Sequence, residues 1–512
     1  MSPLRLLFVA SEVAPLAKTG GLADVVAALG AQLSEFGHDV RVLMPLYRRV
    51  RESGVELTAV ESCQAIPVQL GPRQGQVSVF ASTIKETGLE VWLVDCPELY
   101  DRDGIYTQDD DEHLRFAVLA RAALSVCQHT SWSPDIVHAH DWHAGLLPLY
   151  VKQLASWDDL FKRTKTLLTI HNIGYQGIIE ASKINDLGLD DAAHMLHQED
   201  LADGRINFLK TGVMYADAVT TVSETYAREV LSDEHGMGLQ TALRERGDAV
   251  HGIVNGIDDQ EWSPELDRYI PQHYSKKTVA DKVINRVALL ESLGLKPAPH
   301  GPVFGIVSRL AWQKGFELLP GPLADMLGSH DVRLAVLGSG EEKYEKAFTE
   351  LQQRFPGKVC FYNGYSNKLA HLIEAGSDVF LMPSRYEPCG LNQMYSLAYG
   401  TIPVVRRTGG LADTVQLFDR GSGKGTGVVF DHFDEEALRR ALVYVLELWS
   451  DRAAWKQLMS NAMSQDFSWT KQARLYETLY ARLCGCGGAA GANGASDGSS
   501  DGTSEAEEEA CT

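Results

Sequence analysis

The chain has few cysteines, and their spacing indicates no metal site. Eight are scattered over 512 residues, at Cys63, Cys96, Cys127, Cys360, Cys389, Cys484, Cys486 and Cys511. The one closely spaced pair lies in a Gly-rich C-terminal segment, so the pattern matches neither zinc-ligand spacing nor a disulfide framework. We expect reduced thiols and a cytoplasmic protein.

Long apolar runs are also missing. No stretch approaches the ~18 consecutive apolar residues of a membrane helix, so no membrane partner is expected. The first residues, MSPLRLLFVASEVAP, contain one arginine and a short apolar run, which is the pattern of a weak signal peptide. Because the run leads directly into a glycine turn and a helix, we interpret it as a buried strand.

Positive charge is scarce. Lysine and arginine total 47 against 68 aspartates and glutamates, which gives a formal net charge of −21. This balance argues against a nucleic-acid partner or an anionic membrane surface. An anionic small molecule remains possible, because a pocket can be locally positive within an acidic protein. Such a pocket has to supply its own cations.

Short apolar runs alternate with helical patterns in two successive series. The first series lies at 4–10, 40–44, 136–139, 166–170 and 218–222, and the second at 303–307, 334–337, 359–362, 379–382 and 402–405. Continuous apolar strands that alternate with helices are typical of parallel sheets covered on both faces. The sequence therefore predicts an α/β chain with two doubly wound, Rossmann-like domains facing a cleft.

We place the domain boundary where VNGIDDQEWSP follows the first series. The predicted division is an N-terminal domain at 1–255, a C-terminal domain at 256–469, a helix at 470–483 and a tail at 484–512. The tail contains Gly, Ala, Ser and six acids with no Lys or Arg, so we expect it to be disordered. In open α/β sheets, ligands bind beyond the carboxyl ends of the strands, which makes the cleft the expected site.

Two nearly identical turns follow predicted strands, KTGGLAD at 18–24 and RTGGLAD at 407–413. Adjacent glycines allow a close backbone approach, and the helix that follows offers free N–H groups to a phosphate. Either both turns face one anionic ligand across the cleft, or they are a shared structural turn. The candidate binding residues are Lys18, Gly20, Gly21, Thr408, Gly409 and Gly410.

Further candidates follow two strands of the second series. Arg309 and Lys314 come after the strand at 303–307, and two cations there suit a diphosphate unless they are an ordinary surface pair. Glu387 follows the strand at 379–382 and is either a cleft carboxylate or a solvated loop acid. Cys389 has no histidine nearby in sequence to activate it, so we favour a packing thiol over a nucleophile.

Histidines cluster in the first series, at His138, His140, His143 and His171. A shared metal is disfavoured because the first lies within a predicted strand while the next two lie beyond its end. Asp141 and His171 end two strands, where an acid and an imidazole can hold sugar hydroxyls. The aromatic rings of Trp142 and Tyr175 are either sugar-stacking platforms or packing residues.

Seven motifs together resemble the bacterial glycogen synthase and plant starch synthase family. They are KTGGLADV, HDWHAG, HNIGYQG, VNGID, VSRLAWQKG, EPCGLNQ and RRTGGLADTV, which stand in the family's order and span most of 4–483. The resemblance implies a GT-B fold and a retaining transfer of glucose from ADP-glucose to the non-reducing 4-hydroxyl of glycogen or another α-1,4-glucan. ADP is released, and no metal or cofactor is implied.

The resemblance also implies roles for individual residues. Arg309 and Lys314 match the pair that neutralises the leaving diphosphate. Glu387 and His171 match residues at the donor glucose, and Asp141 matches an aspartate that lines the acceptor site. The remaining implied substrate contacts are Lys18, Gly20, Gly21, Asn172, Asn255, Tyr365 (stacked on the adenine), Cys389, Gly390, Leu391, Thr408, Gly409 and Gly410.

Three alternatives remain at this stage. Other GT-B enzymes use UDP-glucose or make maltose 1-phosphate, and the residues do not separate these donors and acceptors. A catalytically silent α-glucan-binding protein is disfavoured, because carbohydrate binding alone needs no diphosphate clamp. Oligomeric state is not predicted.

Overall fold

The computed structural model describes residues 2–70 and 73–485. The predicted disordered tail lies outside the described residues, apart from Cys484 and Gly485. Buried apolar side chains form two large cores, one built mainly from residues 4–253 and the other from residues 289–462. Within the described ranges, no helix is both long and apolar enough to cross a membrane.

The first core surrounds a mixed sheet of ten strands. The strands before the linker are β1 (Arg5–Val9), β2 (Asp39–Pro45), β3 (Thr58–Ala59), β4 (Ile66–Leu70), β5 (Arg73–Thr83), β6 (Glu90–Asp95), β7 (Ile136–His140), β8 (Lys165–Ile170), β9 (Ile178–Glu180), β10 (Arg205–Asn207), β11 (Ala218–Thr221) and β12 (Val250–Gly252). The sheet order is β12-β11-β8-β7-β1-β2-β6-β5-β3, with β4 paired to β5, while β9 and β10 form a separate ribbon. Pairing is parallel from β12 to β6 and antiparallel around β5.

Nine helices connect these strands in the described part of the chain. They are α1 (Gly21–Glu35), α2 (Arg48–Glu52), α3 (Pro97–Tyr100), α4 (Glu112–His129), α5 (Leu147–Leu154), α6 (Gln198–Ala202), α7 (Phe208–Tyr215), α8 (Glu224–Glu229) and α9 (Gln240–Glu245). Helix α1 begins in the first glycine turn, as the sequence predicts. Its buried face, which includes Leu22, Val26 and Leu29, repeats at helical spacing and packs on the sheet.

The second core surrounds a six-stranded parallel sheet. Its strands are β13 (Val303–Val307), β14 (Arg333–Gly338), β15 (Val359–Asn363), β16 (Val379–Met382), β17 (Ile402–Arg406) and β18 (Val428–Phe430), in the order β15-β14-β13-β16-β17-β18. The helices are α10 (Lys282–Ser292), α11 (Pro320–Ser329), α12 (Glu342–Arg354), α13 (Asn367–Gly376), α14 (Asn392–Ala398), α15 (Gly409–Thr414), α16 (Glu435–Ser450) and α17 (Arg452–Ala462). The predicted class of two doubly wound domains is confirmed.

The last described helix, α18 (Trp469–Leu483), returns to the first domain. Trp469, Tyr476 and Tyr480 are buried in the first core, and the Tyr480 hydroxyl lies 2.8 Å from Nδ1 of His138. The sequence predicts this amphipathic helix but treats it as a separate segment. Its apolar face is covered by the N-terminal sheet and helix α1, so the chain crosses between the two domains twice.

Several features of the first domain differ from the prediction. Strand β6 is absent from the predicted series, although its residues 91–94 form a continuous buried apolar run. The antiparallel strands β4 and β5 are not in the predicted series, because residues 66–69 and 74–79 alternate between more buried and more exposed positions instead of forming continuous apolar runs. His140 was placed beyond the end of its strand, but it is the last residue of β7. The strand extends one residue further because His140 pairs with Thr169 of β8.

Candidate active site

A cavity of about 1130 Å³ lies between the two domains, at the carboxyl ends of the parallel strands of both sheets. Its lining includes most of the residues that the sequence singles out. These are Lys18, Gly20, Gly21, Asp141, His171, Asn172, Asn255, Arg309, Lys314, Tyr365, Glu387, Cys389, Gly390 and Leu391. Residues that lie as far apart as 18 and 391 in the chain therefore meet in one space, as the rule for open α/β sheets requires.

A partly buried ion pair occupies the wall formed by the second domain. Lys314 Nζ lies 2.7 Å from Glu387 Oε2, and Glu387 is only 4% exposed. The Ser384 hydroxyl donates a second hydrogen bond to the same carboxylate oxygen, at 2.9 Å. The charge of Glu387 is therefore held in one place by a cation and a hydroxyl, and the arrangement is fixed before any ligand enters.

Arg309 follows strand β13 by two residues and stands on the same wall. Its side chain is exposed, and within residues 2–70 and 73–485 its guanidinium has no hydrogen bond or ion pair. An unpaired guanidinium in a large cavity keeps all five N–H donors free for an anion. Arg309 and Lys314 are the local cations that an acidic chain has to supply.

Asp141 occupies the opposite wall, directly after strand β7. Its backbone has φ 54° and ψ −172°, a region that side chains other than glycine rarely adopt. The carboxylate accepts the backbone N–H of His171 at 2.7 Å and that of Asn172 at 3.4 Å. Burial raises the pKa of Asp141 to about 7, although these two bonds favour its charged form.

The raised pKa of Asp141 makes stability depend on pH. The group releases its proton near pH 3.8 in the unfolded chain and near pH 7 in the folded chain, so the folded state binds more protons between these values. Stability therefore falls as pH rises from about 4 to 7. We expect Asp141→Asn to raise the unfolding free energy by roughly 2–4 kcal/mol at pH 8 and by much less at pH 5.

Urea unfolding at pH 5 and pH 8 measures this difference. Asp159→Asn is the matched control, because the Asp159 side chain is exposed and, among the residues that the structure describes, pairs only with the exposed Lys162. The control should change stability little at either pH. An equal gain for Asp141→Asn at both pH values would show that the Asp141 carboxylate is not destabilised by burial.

The histidines next to Asp141 are uncharged at neutral pH. Burial lowers the pKa of His171 to about 3, and its Nε2 lies 3.0 Å from Nδ1 of His140. His138 uses both ring nitrogens inside the protein, with Thr169 and Tyr480 as partners. In the described ranges, no group of three or more His, Cys, Asp or Glu side chains is arranged to hold a metal ion.

Asn255 and Cys389 meet between the two walls. The Asn255 backbone forms a hydrogen bond with the Cys389 thiol, and burial raises the pKa of that thiol to about 12. Such a thiol stays protonated, which supports a packing role and disfavours a nucleophile. Oδ1 of Asn255 is buried and finds no hydrogen-bond donor in the described protein. A buried acceptor without a partner on a cavity wall is suited to a hydroxyl of a ligand.

The first glycine turn is already bound to a carboxylate of the protein. The amide of Thr19 donates to Glu12, the Thr19 hydroxyl donates to the same carboxylate at 2.7 Å, and the Gly20 amide does so at 3.4 Å. Lys18 forms an ion pair with Asp24 at 2.7 Å. Burial opposes the charged form of Lys18, but Asp24, together with Tyr365 and Glu261, more than offsets burial, so the lysine pKa is raised. The turn lines the cavity, but the hydrogen-bond donors that Glu12 already accepts are not free for a ligand.

The second glycine turn does not reach the cavity, which differs from the prediction for Thr408, Gly409 and Gly410. The Thr408 hydroxyl and the Gly409 amide donate to Oε1 of Glu229, at 3.1 and 3.0 Å. The Gly410 amide donates to the backbone oxygen of Glu387 at 3.0 Å. The geometry suits an anion, as the sequence predicts, but a carboxylate from the first domain already fills it.

Helices α8 and α15 therefore hold each other across the domain boundary. Glu229 of α8 binds the start of α15, while Asp413 of α15 accepts the amide and hydroxyl of Thr225 in α8, at 2.9 and 2.5 Å. Each helix supplies a carboxylate to the N-terminal donors of the other. This reciprocal contact fixes one edge of the cleft.

A single substitution separates a structural role of Thr408 from a ligand-binding one. We expect Thr408→Val to lower the unfolding free energy by about 1 kcal/mol through loss of the bond to Glu229, with less than about a threefold change in the KM of the sugar-nucleotide donor that the resemblance implies. Urea unfolding and steady-state kinetics measure the two effects. A KM increase of about tenfold with unchanged stability would return Thr408 to the donor site.

Comparisons with known proteins agree with this architecture. Residues 5–245 match the family model described as the starch synthase catalytic domain, and residues 295–459 match the glycosyl transferases group 1 model. Glycogen synthase of Treponema denticola is 42% identical over 492 residues, which cover 93% of this chain and 98% of that protein. The chain belongs to the glycogen and starch synthase family. It is a glycosyltransferase with the GT-B fold.

Other relatives of this family member support the assignment. Glycogen synthase of Myxococcus xanthus is 42% identical over 483 residues, covering 93% of this chain and 99% of that protein. The catalytic domain of starch synthase IV from Arabidopsis thaliana, solved with ADP and acarbose, has a TM-score of 0.86 and 34% identity. It covers 94% of this chain and 100% of that chain. Sucrose-phosphate synthase from Thermosynechococcus elongatus shares the fold, with a TM-score of 0.59 and 16% identity. The match covers 94% of this chain and 99% of that chain.

Several residues that line the cavity of this synthase-family chain were not among the sequence candidates, and three of them are Glu12, Tyr106 and Glu112. Glu12 is 2% exposed and holds the first glycine turn, and it accepts a hydrogen bond from Tyr106. Glu112, at the start of α4, also lines the cavity. A signal for Glu12 was present, because an acid three residues after strand β1 lies at the edge where ligands bind. No comparable sequence signal marks Tyr106 or Glu112.

The structure distinguishes the two aromatic residues that the sequence left undecided. Trp142 packs against Phe116 and Phe208, with ring centroids 4.9 and 6.0 Å away. Its ring is therefore mainly part of the core packing. Tyr175 is 56% exposed and makes no ring contact within the described ranges. In this member of the family, Trp142 is a packing residue and Tyr175 is an exposed aromatic surface.

Proposed function

We propose that the chain transfers glucose from ADP-glucose to the non-reducing 4-hydroxyl of an α-1,4-glucan, with retention and release of ADP. The observation that carries the proposal is the division of one cavity into two walls. The second domain contributes Arg309 and Lys314, and the first contributes Asp141, His171 and a buried acceptor on Asn255. One wall suits a diphosphate and the other suits sugar hydroxyls.

The cations act on the leaving group. When the bond between C1 of glucose and the diphosphate oxygen breaks, its electron pair leaves with ADP and negative charge grows on the phosphate. Arg309 contributes a forked donor, and Lys314 adds a second charge beside it. Glu387 keeps the Lys314 ammonium in place and lies beside the carbon that becomes positive. Its role is electrostatic and positional.

The acceptor is the other reactant. Its O4 forms the new bond to C1 on the face that the diphosphate leaves, and its proton passes to the departing phosphate oxygen. This same-face route gives retention without a covalent enzyme intermediate. Asp141 and neutral His171 hold hydroxyls of the sugars, while Oδ1 of Asn255 accepts a further hydroxyl. Tyr365, exposed at the cavity edge, is proposed to stack on the adenine.

The relatives support this choice of substrates. The Arabidopsis starch synthase IV domain was solved with ADP and acarbose, and the curated relatives carry the name glycogen synthase. We further propose that the reaction needs no metal or cofactor, so that a chelator leaves the rate unchanged. The reduced thiols expected from the sequence support a cytoplasmic location.

Nucleotide release with glycogen as primer tests the proposal. The wild type should release ADP from ADP-glucose only when primer is present, and faster than it releases UDP from UDP-glucose at the same concentration. Lys18→Ala should lower the rate, because it removes a cavity cation. A preference for UDP-glucose would overturn the donor, whereas glycogen binding without turnover would favour a glucan-binding protein.

A further inference from the structure

The segment that leads from the first domain into the second, residues 257–274, is fixed on the second domain by ring stacking. The Trp262 ring lies between the rings of His371 and Tyr395, with centroids 3.8 and 3.9 Å away and interplanar angles of 10° and 6°. His371 belongs to helix α13 and Tyr395 to α14. Because Glu261 directly precedes Trp262, this stacking also sets the position of the Glu261 backbone.

A buried histidine holds the Glu261 side chain against helix α13. His371 is fully buried, and its Nδ1 lies 2.8 Å from the equally buried carboxylate of Asp267. Its Nε2 lies 3.8 Å from Oε1 of Glu261. Burial opposes the charged form of His371, but Asp267 and Glu261 more than offset burial, so the His371 pKa is raised. The contact with His371 in turn lowers the pKa of Glu261, so this carboxylate keeps its charge and its place.

Glu261 is connected to the edge of the cavity through one asparagine. The side chain of Asn367, the first residue of α13, forms a hydrogen bond with Glu261. The Tyr365 hydroxyl donates to Oδ1 of Asn367 at 3.0 Å. A side-chain amide has both donor and acceptor groups, so Asn367 can join a carboxylate to a phenol. Tyr365 lines the cavity, whereas Asn367 does not.

The Tyr365 side chain has few other restraints. It is 72% exposed, and within the described ranges it forms no hydrogen bond except the one to Asn367 and stacks on no other ring. The residue before it, Gly364, has φ 139° and belongs to the residue type with the greatest backbone freedom. Without Asn367, the ring would occupy several rotamers, and a ligand would have to order it on binding.

We propose that Asn367, held by Glu261, is a positioning residue that fixes the Tyr365 ring in the orientation in which it stacks on the base of the nucleotide. The proposal rests on the proposed function, in which Tyr365 stacks on the adenine. Asn367 acts through Tyr365 and lies outside the cavity, so it contributes to nucleotide affinity and not to the breaking of the sugar–phosphate bond. A ring that is ordered beforehand loses less conformational entropy on binding.

Calorimetry with ADP, and with pyrophosphate as a ligand without a base, tests this role. In Asn367→Ala the Kd of ADP should rise about fivefold, because binding has to order the ring, and the Kd of pyrophosphate should not change. Tyr365→Phe keeps the ring but loses the hydroxyl, so it should give the same fivefold rise. Glu261→Ala releases the Asn367 amide and should give about threefold. Tyr365→Ala removes the ring and should give about twentyfold.

Double variants and kinetics separate positioning from a general structural role. Adding Asn367→Ala to Tyr365→Phe or to Tyr365→Ala should weaken ADP binding no further. With saturating glucan, Asn367→Ala should raise the KM of ADP-glucose about fivefold and leave kcat unchanged. Asn363→Ala is the matched control, because Asn363 stands two residues before Tyr365, donates to Glu345 at 2.9 Å and does not line the cavity. This control should change neither Kd.

Several results would overturn the proposal. They are an equal loss of affinity for ADP and pyrophosphate in Asn367→Ala, additive losses in the double variants, an unchanged Kd of ADP in Tyr365→Phe, and a similar rise in Asn363→Ala. A wild type that binds no ADP would overturn this proposal together with the proposed donor. A wild type that binds ADP but transfers no glucose contradicts the proposed function alone, and the calorimetry with ADP still decides the role of Asn367.

Discussion

Arg309→Ala is expected to lower kcat by about 10²–10³-fold, the largest effect that we predict for a single side chain. The guanidinium stands free in the cavity at the end of β13, and the proposed reaction places the growing charge of the diphosphate beside it. Because Arg309 has no hydrogen bond or ion pair in the described protein, its removal should leave the unfolding midpoint unchanged. Steady-state kinetics and thermal unfolding measure the two quantities.

Two further variants separate the contribution of the Arg309 charge from that of its forked hydrogen-bond geometry and from general effects of removing an arginine. Arg309→Lys keeps one charge but loses the forked donor, so we expect an intermediate loss of about tenfold. Arg420→Ala is the control, since this exposed arginine of the same domain stands 3.9 Å from Glu447, outside the cavity. Turnover unaffected by Arg309→Ala would exclude the guanidinium from leaving-group stabilisation.

Breaking the Lys314–Glu387 pair is expected to cost about 10²-fold in kcat with either Lys314→Ala or Glu387→Gln. Each change leaves its partner without the opposite charge 2.7 Å away, in a place where Glu387 is nearly fully buried. Because both variants remove the same interaction, the double variant should lose little more than either single one. A double-mutant cycle on kcat measures the coupling between Lys314 and Glu387 directly.

The exposed pair of Lys162 and Asp159 serves as the control cycle. Its N–O distance is 3.0 Å, close to that of the buried pair, but both side chains are mostly exposed. Because solvent screens this exposed pair, the coupling between Lys162→Ala and Asp159→Asn should be nearly zero. Fully additive losses at Lys314 and Glu387 would mean that the two groups act separately and that the pair does not position the ammonium.

Much of the fold follows from continuous apolar runs. The strands at 303–307 and 379–382 have the predicted bounds, because parallel strands covered on both faces are apolar throughout. Strand β5 carries no such run: Val77 and Val79 are buried while Ser78 between them is partly exposed. An alternating pattern of this kind is weak over a short stretch, and the antiparallel edge was therefore missed.

The candidate site was predictable where one short segment carries the chemistry. The cations after β13 and the carboxylate after β16 were found because strand ends mark the cleft. The two glycine turns show the limit of this reasoning. Their sequence correctly indicates anion-binding geometry, but Glu12 and Glu229 supply the anions. Glu229 lies 180 residues from Gly409, and only the packed structure brings them together.

The linkage and configuration of the product decide whether the protein transfers glucose to the 4-hydroxyl of an α-glucan with retention. The protein is incubated with ADP-glucose labelled with ¹³C at C1 and with maltoheptaose, and the product is followed by NMR. We expect a new α-1,4-linked C1 signal on a chain one unit longer, with an equal amount of ADP. A β-linked signal, free glucose as the main product, or label in maltose 1-phosphate would contradict it.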